Sequence, residues 1–263
     1  MKKEIGGYFE LEDLAGKEYY PGLYKVNLGR TALLWLLESR RYSKIYLPMF
    51  LCESVVEACE QHGIQIERYR MDAELNILLS QNKMKEKECL YLVNYYGQLT
   101  DERILQYKEK YGNIIVDHTH AFFQKPLKGI DTLYSCRKFW GVSDGAYLAT
   151  DAVLSMDKPL DRSNKRMEHI LGRYEENAGA YYQEMLQNAA SYDGMEIRRM
   201  SRLTENLLGA IDYEAGKHRR EENYSILFEE LPSESVFVRV TPEGPFVYPY
   251  HHKDGLNLRR WLA

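Results

Sequence analysis

The stretch Glu88–Asp117, ECLYLVNYYGQLTDERILQYKEKYGNIIVD, decides the fold. Glu88–Gly97 is a mostly apolar run that suits a strand buried on both faces. Asp101–Gly112 has helical spacing with an acidic first turn, and Asn113–Asp117 is a second buried strand. The same alternation extends towards the N-terminus. Arg30–Arg41 carries a helical stripe at Leu33, Leu34 and Leu37, and Lys44–Pro48 is a short strand ended by proline. Cys52–Gly63 returns to helical spacing and stops at a glycine placed as a C′ cap, and Ile64–Arg70 alternates as a strand does. Strands and helices taking turns, with short connections between them, predict an α/β fold: a mostly parallel sheet with helices on both faces.

Beyond Asp117 comes DTLYSCRKFWGVSDGAYLAT, Asp131–Thr150, in which two strand-like runs, Thr132–Ser135 and Ala146–Ala149, flank Arg137 and Lys138. A lysine between two buried strands is costly unless it has a partner or a task. After Thr150 the texture changes. From Met156 to about Glu230 the chain is charged, tyrosine-rich and helical in period; Glu234–Tyr250 then offers two strands around a Pro/Gly turn, and LNLRRWLA opens a helix. The expected organisation is a large domain over residues 1–155, extended by helices to about 210, and a helical segment with a shortened α+β small domain over 156–263.

Composition narrows the function classes. With 263 residues the chain is long enough for a sizeable core, and 44% hydrophobic and 28% charged residues are ordinary for a globular protein. A net charge of −4 and a pI near 6.0 give no basic field for a nucleic acid. No apolar run approaches the roughly 20 residues of a membrane span, and MKKEIGGYFELEDL lacks the apolar centre of a signal peptide. Cys52, Cys59, Cys89 and Cys136 show no metal-type spacing and are expected as reduced thiols of a cytoplasmic protein. The 22 tyrosines have no explanation at this level.

In an open parallel sheet, ligands bind outside the carboxyl ends of the strands. Four features fall there. NLGRTAL places Gly29, Arg30 and Thr31 at a helix start, where free N–H groups favour a phosphate. LVNYYG presents Asn94 and Tyr96; NIIVDHTHA ends a strand on Asp117, with His118 and His120 after it; YSCRKFWG presents Ser135, Arg137 and Lys138. An anion cradle, a strand-end aspartate and a strand-end lysine together suit pyridoxal 5′-phosphate (PLP). The phosphate sits on the helix start, the aspartate keeps the pyridine nitrogen protonated, and the lysine bonds the aldehyde and shuttles protons. Such a lysine works as a free amine, which partial burial beside Arg137 would favour. Taken singly, each feature has a plainer reading: a surface lysine in a hairpin, an aspartate capping a turn, an ordinary helix start. Asp117, His118 and His120 are also all metal-ligand types, but neighbours on an extended chain point opposite ways and no further ligand cluster is evident.

These residues resemble the DegT/DnrJ/EryC1/StrS family of sugar aminotransferases, fold-type-I PLP enzymes. GRTAL is similar to the family's GTAAL phosphate segment, and Pro48 to Gly63 to its proline-to-glycine stretch. Asp117–His120 is similar to D-x-A-Q/H, and KFWGVSDGA to K-N-L-T-T-G-E-G-G, with Lys138 on the cofactor lysine and Asp144–Gly145 on the acidic–glycine pair. YYGQ before a helix also matches, so five motifs stand in register over about residues 5–150, with fainter similarity beyond. The resemblance implies a fold-type-I large domain with an abbreviated small domain. It implies an enzyme transferring an amino group between an amino acid and a keto sugar on a nucleotide, in polysaccharide or cell-surface sugar biosynthesis. It implies a cytoplasmic homodimer with sites at the interface, and no resident metal. Lys138 and Asp117 would be catalytic; Gly29, Arg30, Thr31, Cys52, Asn94, His120 and Ser135 would also contact the cofactor. The family's dehydratase branch has histidine where this chain has Lys138. Three departures stand out. The ring-stacking aromatic aligns with Cys52, the usual serine well before the lysine is missing, which leaves Ser135 as the candidate phosphate contact, and the small domain is short. They keep open a second class, a non-catalytic relative that serves as a binding or assembly module.

Overall fold

The computed structural model describes residues 7–14, 16–231 and 240–262. In chain order it begins with β1 (Tyr24–Val26), α1 (Gly29–Arg40), β2 (Lys44–Pro48), α2 (Glu53–Gln61), β3 (Gln65–Met71) and β4 (Ile77–Leu78). The stretch that decides the fold forms β5 (Glu88–Val93), α3 (Asp101–Tyr111) and β6 (Ile114–Asp117), followed by β7 (Asp131–Ser135) and β8 (Ala146–Ala149). Among the described residues five α-helices follow: α4 (Glu168–Glu175), α5 (Tyr182–Ala190), α6 (Arg202–Gly209), α7 (Tyr213–Glu230) and α8 (Gly255–Leu262).

The strands form one sheet in the order β1-β8-β7-β6-β5-β2-β3-β4. Its centre, β7-β6-β5-β2-β3, is parallel, with Leu90–Val93 in register with Ile114–Asp117. β8 and β1 add antiparallel on one side and β4 on the other. Alternation along the strands sorts the core into two faces. Ile45, Leu47, Cys89, Tyr91, Ile115 and Leu133 pack with α1 and α2. Tyr46, Leu90, Leu92, Ile114 and Val116 point the other way, onto Ile104 and Tyr111 of α3. Local chemistry sets the helix ends. α2 closes as a Schellman motif: Gly63 takes φ +67°, its N–H donates to the Glu60 carbonyl (2.9 Å), and the Ile64 N–H donates to that of Cys59 (3.0 Å). Thr100 caps α3 ahead of Asp101 and Glu102.

Four of the 22 tyrosines have a structural explanation. Tyr20, Tyr134, Tyr147 and Tyr213 form an aromatic layer with Phe122, Phe123 and Phe139 against β7 and β8. The four hydroxyls of this layer each find a partner: Tyr20 donates to the Phe122 carbonyl (2.6 Å), Tyr134 to the Gln124 carbonyl (2.8 Å), Tyr147 to the Glu18 carboxylate (2.9 Å) and Tyr213 to the Leu208 carbonyl (2.7 Å). A ring that fills volume and places its hydroxyl suits a core of this kind.

The chain beyond residue 156 packs back on the sheet. The Asn27 N–H donates to the Arg198 carbonyl (3.0 Å), Val26 bridges Arg199, and Met200, Leu208 and Tyr213 join the aromatic layer. The C-terminal expectation needs correction. Val240–Tyr250 contains no strand; of the two expected there, the earlier falls largely on 234–239, outside the described residues. Instead this segment crosses the carboxyl ends of the parallel strands. Gln98 clasps Val240 with two bonds (2.9 and 3.1 Å), and Pro242 sits so close to Gly97 that a Cβ there would lie 2.6 Å from it. Pro242 and Pro245 limit its backbone and leave no run of N–H groups for a ladder.

Candidate active site

The chain order reverses between β5 and β2, and a cavity of about 790 Å³ opens at that end of the sheet. Its walls come from the expected loops. The start of α1 gives Gly29 and Arg30; the turn after β2 gives Phe50 and Cys52; β5 and its sequel give Tyr91, Tyr95 and Tyr96. β6 gives Asp117, with Thr119 and His120 following, and β7 leads to Ser135, Arg137 and Lys138. Seven of the nine residues expected to contact the cofactor therefore line one space: Gly29, Arg30, Cys52, Asp117, His120, Ser135 and Lys138.

Asp117 is buried at the end of β6, on the face of the sheet that carries α1. Its Oδ1 accepts the Thr119 N–H (2.8 Å) and its Oδ2 accepts the Tyr91 hydroxyl (2.7 Å). Burial pushes the carboxyl up from its ordinary value, and these bonds together with the positive charge of Lys138 pull it back. Lys138 lies in a short 3₁₀ turn after β7 and is exposed, not partly buried as expected; its ammonium lies 5.6 Å from the centre of the Phe246 ring. An amine at the rim of an open cavity is reachable by a ligand from solvent.

His120 is stacked between Tyr96 (5.7 Å between ring centres) and Phe246 (4.8 Å, 12° between planes). Burial, then the nearby Lys138, hold its pKa down to about 4, so the ring is neutral near pH 7. Its Nδ1 is buried with no hydrogen-bond partner among the described residues. Cys52 is exposed at the head of α2 beside Ser54 (Sγ to Oγ 3.1 Å), and offers no ring. α1 begins without a side-chain cap, which leaves its first N–H groups free beside Arg30.

Two expected residues lie elsewhere. The Thr31 hydroxyl turns back to the Asn27 side chain (2.6 Å) and the Leu28 carbonyl (3.0 Å), which leaves only its backbone in the first turn of α1. Asn94 is fully buried: its amide holds Leu99 (2.8 Å to the N–H), Gln124 (2.7 Å) and the His118 ring (3.1 Å), shaping the loop after β5 from behind. His118 thus turns away from Asp117, as residues adjacent on an extended chain do. Sequence reasoning missed Tyr91, which reads as one more apolar position in a buried strand, and Phe246, brought in from more than a hundred residues downstream.

The donor set fits a phosphorylated pyridine aldehyde. A carboxylate, an amine, an imidazole ring and an uncapped helix start with an arginine all line one space. Comparison with protein-family models and with curated proteins gives no match. Solved structures share the fold. The sugar aminotransferase CalS13 of Micromonospora echinospora is 14% identical, with a TM-score of 0.55, over 92% of this chain and 71% of that one. NtdA of Bacillus subtilis, solved with bound cofactor PMP, is 11% identical with a TM-score of 0.53, over 80% of this chain and 48% of its own. A Streptococcus pneumoniae protein described as a sugar aminotransferase, in its PLP form, is 12% identical with a TM-score of 0.52, over 86% and 65%. This chain therefore has the fold of these proteins and spans between about half and about seven-tenths of their length.

Proposed function

We propose that the chain binds PLP and transfers an amino group between an amino acid and a keto sugar, the sugar carried on a nucleotide. The observation that carries this reading is that Lys138 and Asp117, on successive strand ends, face one cavity whose third wall is the start of α1. When bound, PLP supplies an electron sink for negative charge developing beside the transferred nitrogen. This chain's residues would do the rest. Lys138 holds the aldehyde end and, once released, carries a proton at Nζ. Asp117 holds positive charge on the pyridine nitrogen, and Tyr91 and Thr119 fix the carboxylate for it. A cation bound there also offsets the burial that raises the Asp117 pKa. The first turn of α1 and Arg30 would take the phosphate, with Ser135 as a further contact, and Cys52 and His120 would border the ring. Asn94 positions the loop after β5 without touching the cofactor. The same reading makes the protein a cytoplasmic homodimer acting in polysaccharide or cell-surface sugar biosynthesis. The exposed Met49 and Phe50 near the cavity mouth support an interface there.

The purified protein is expected to develop a visible absorbance with PLP that Lys138→Ala abolishes. Protein that stays colourless and ignores added PLP overturns the reading. Cys52 and the Phe246 ring at His120 favour a second reading, a non-catalytic binding module that keeps the cofactor. Glutamate added to the coloured protein separates the two: bleaching to the amine form of the cofactor marks an aminotransferase, and an unchanged spectrum marks the module.

A further inference from the structure

Arg137 lines the cavity and holds no part of the cofactor in the proposed function. Its guanidinium lies 4.8 Å from the Tyr192 ring centre, and that ring is shared with Arg166, also at 4.8 Å. Arg166 is neutralised by Asp161 (2.8 Å). Arg137 has no hydrogen bond and no carboxylate within ion-pair reach among the described residues. Arg30, the other guanidinium on the cavity wall, has among the described residues only a loose ion-pair contact of 3.7 Å, to the mostly exposed Asp193. Arg137 is exposed at the cavity rim, and the two cations lie close enough for the charge of Arg30 to act against that of Arg137. Tyr192 is itself fixed, its hydroxyl donating to the Ser143 carbonyl. Two guanidiniums converge on one cavity, one of them held by a ring and lacking an acid, at the end where α1 presents free N–H groups. Such an arrangement repels itself until a doubly charged anion enters.

We propose that Arg137 and Arg30 together grip the phosphate of the cofactor, supplying the charge that the missing serine position does not. This rests on the PLP reading above. The planar fork of Arg137 matches two phosphate oxygens, and its stacking on Tyr192 orders it beforehand, so little freedom is lost on binding. The consequence is selectivity for the phosphate ester: the arginines act on the phosphate alone, while Lys138 acts on the aldehyde alone.

The test compares PLP with pyridoxal, which keeps the aldehyde and lacks the phosphate, in absorbance titrations of the full chain. Arg137→Gln is expected to weaken PLP by about tenfold to a hundredfold, the size of a charged hydrogen-bond pair, and to leave pyridoxal unchanged. Arg30→Gln is expected to act in the same direction, and Arg137→Lys to fall between because the charge remains and the fork does not. Equal weakening of both ligands in Arg137→Gln, or of neither, overturns the inference while the PLP reading stands. If Arg137→Gln does not fold, Arg137→Lys decides: an unchanged preference for the ester overturns it. A wild-type protein that takes up neither ligand overturns the PLP reading and this inference with it.

Discussion

Asp117 and His118 are neighbours whose side chains diverge, the first to Tyr91 and Thr119, the second to Asn94. Burial raises the pKa of one and lowers that of the other, because in each case it disfavours charge. His118 falls from 6.5 to about 3 and is neutral in the folded protein at any ordinary pH. The unfolded chain takes up a proton near pH 6.5 that the folded chain refuses, so this residue removes stability as pH falls from 6.5 towards 3. Between pH 8 and pH 5 the loss is about 2 kcal/mol. His120 acts in the same direction with less weight, being partly exposed. Urea unfolding at pH 8 and pH 5 should show this loss, and His118→Gln should flatten it. An equal slope in the variant would assign the acid sensitivity to other groups.

At the scale of elements, the join between β8 and α6 carries the next expectation. Asp144, fully buried before β8, accepts the Ser201 N–H and hydroxyl (both 2.8 Å) and the Thr204 hydroxyl, while Ser201 caps α6. Asp144→Ala strands those donors and should cost about 3 kcal/mol, read as a lower urea midpoint with the slope unchanged. Asp144→Asn, which keeps one accepting oxygen, should cost less. A midpoint unmoved in both would mean that α6 is anchored elsewhere. Here the limits of sequence reading have physical causes. Lys44–Pro48 and Ala146–Ala149 are strands with the expected bounds, because apolar runs between turn residues specify both burial and ends. Direction was not legible: AYLA has the same pattern parallel or antiparallel, and the structure makes it antiparallel. Seven cavity residues were legible because each ends or follows a strand or opens a helix, positions fixed by topology. Tyr91 was not, since its hydroxyl is invisible in a hydrophobic pattern, and Thr31 and Asn94 spend their polar atoms on their own loops.

For the whole molecule, the question is where the unit that holds the site ends. Residues 1–155 contain every residue assigned to PLP, including Asp117 and Lys138. That segment nevertheless leaves the aromatic layer on β7 and β8 without Met200, Leu208 and Tyr213, all buried in it. It also leaves Val26 of β1 and the adjacent Asn27 without their partners at Arg199 and Arg198, and Asp144 without α6. Three large apolar side chains contribute about 1.5–3 kcal/mol each, a sum comparable with the roughly 5–15 kcal/mol by which a domain is stable. We therefore place the border beyond α7, and expect a fragment of residues 1–155 to show no cooperative urea transition by circular dichroism. A fragment of residues 1–230 should retain one, since it keeps the aromatic layer, the α6 anchor and both faces of the sheet. It should also bind PLP more weakly than the full chain, because Phe246, which stacks on His120 beside Lys138, is gone. A cooperative transition in residues 1–155 would place the border before α4 and make the later helices a separate unit.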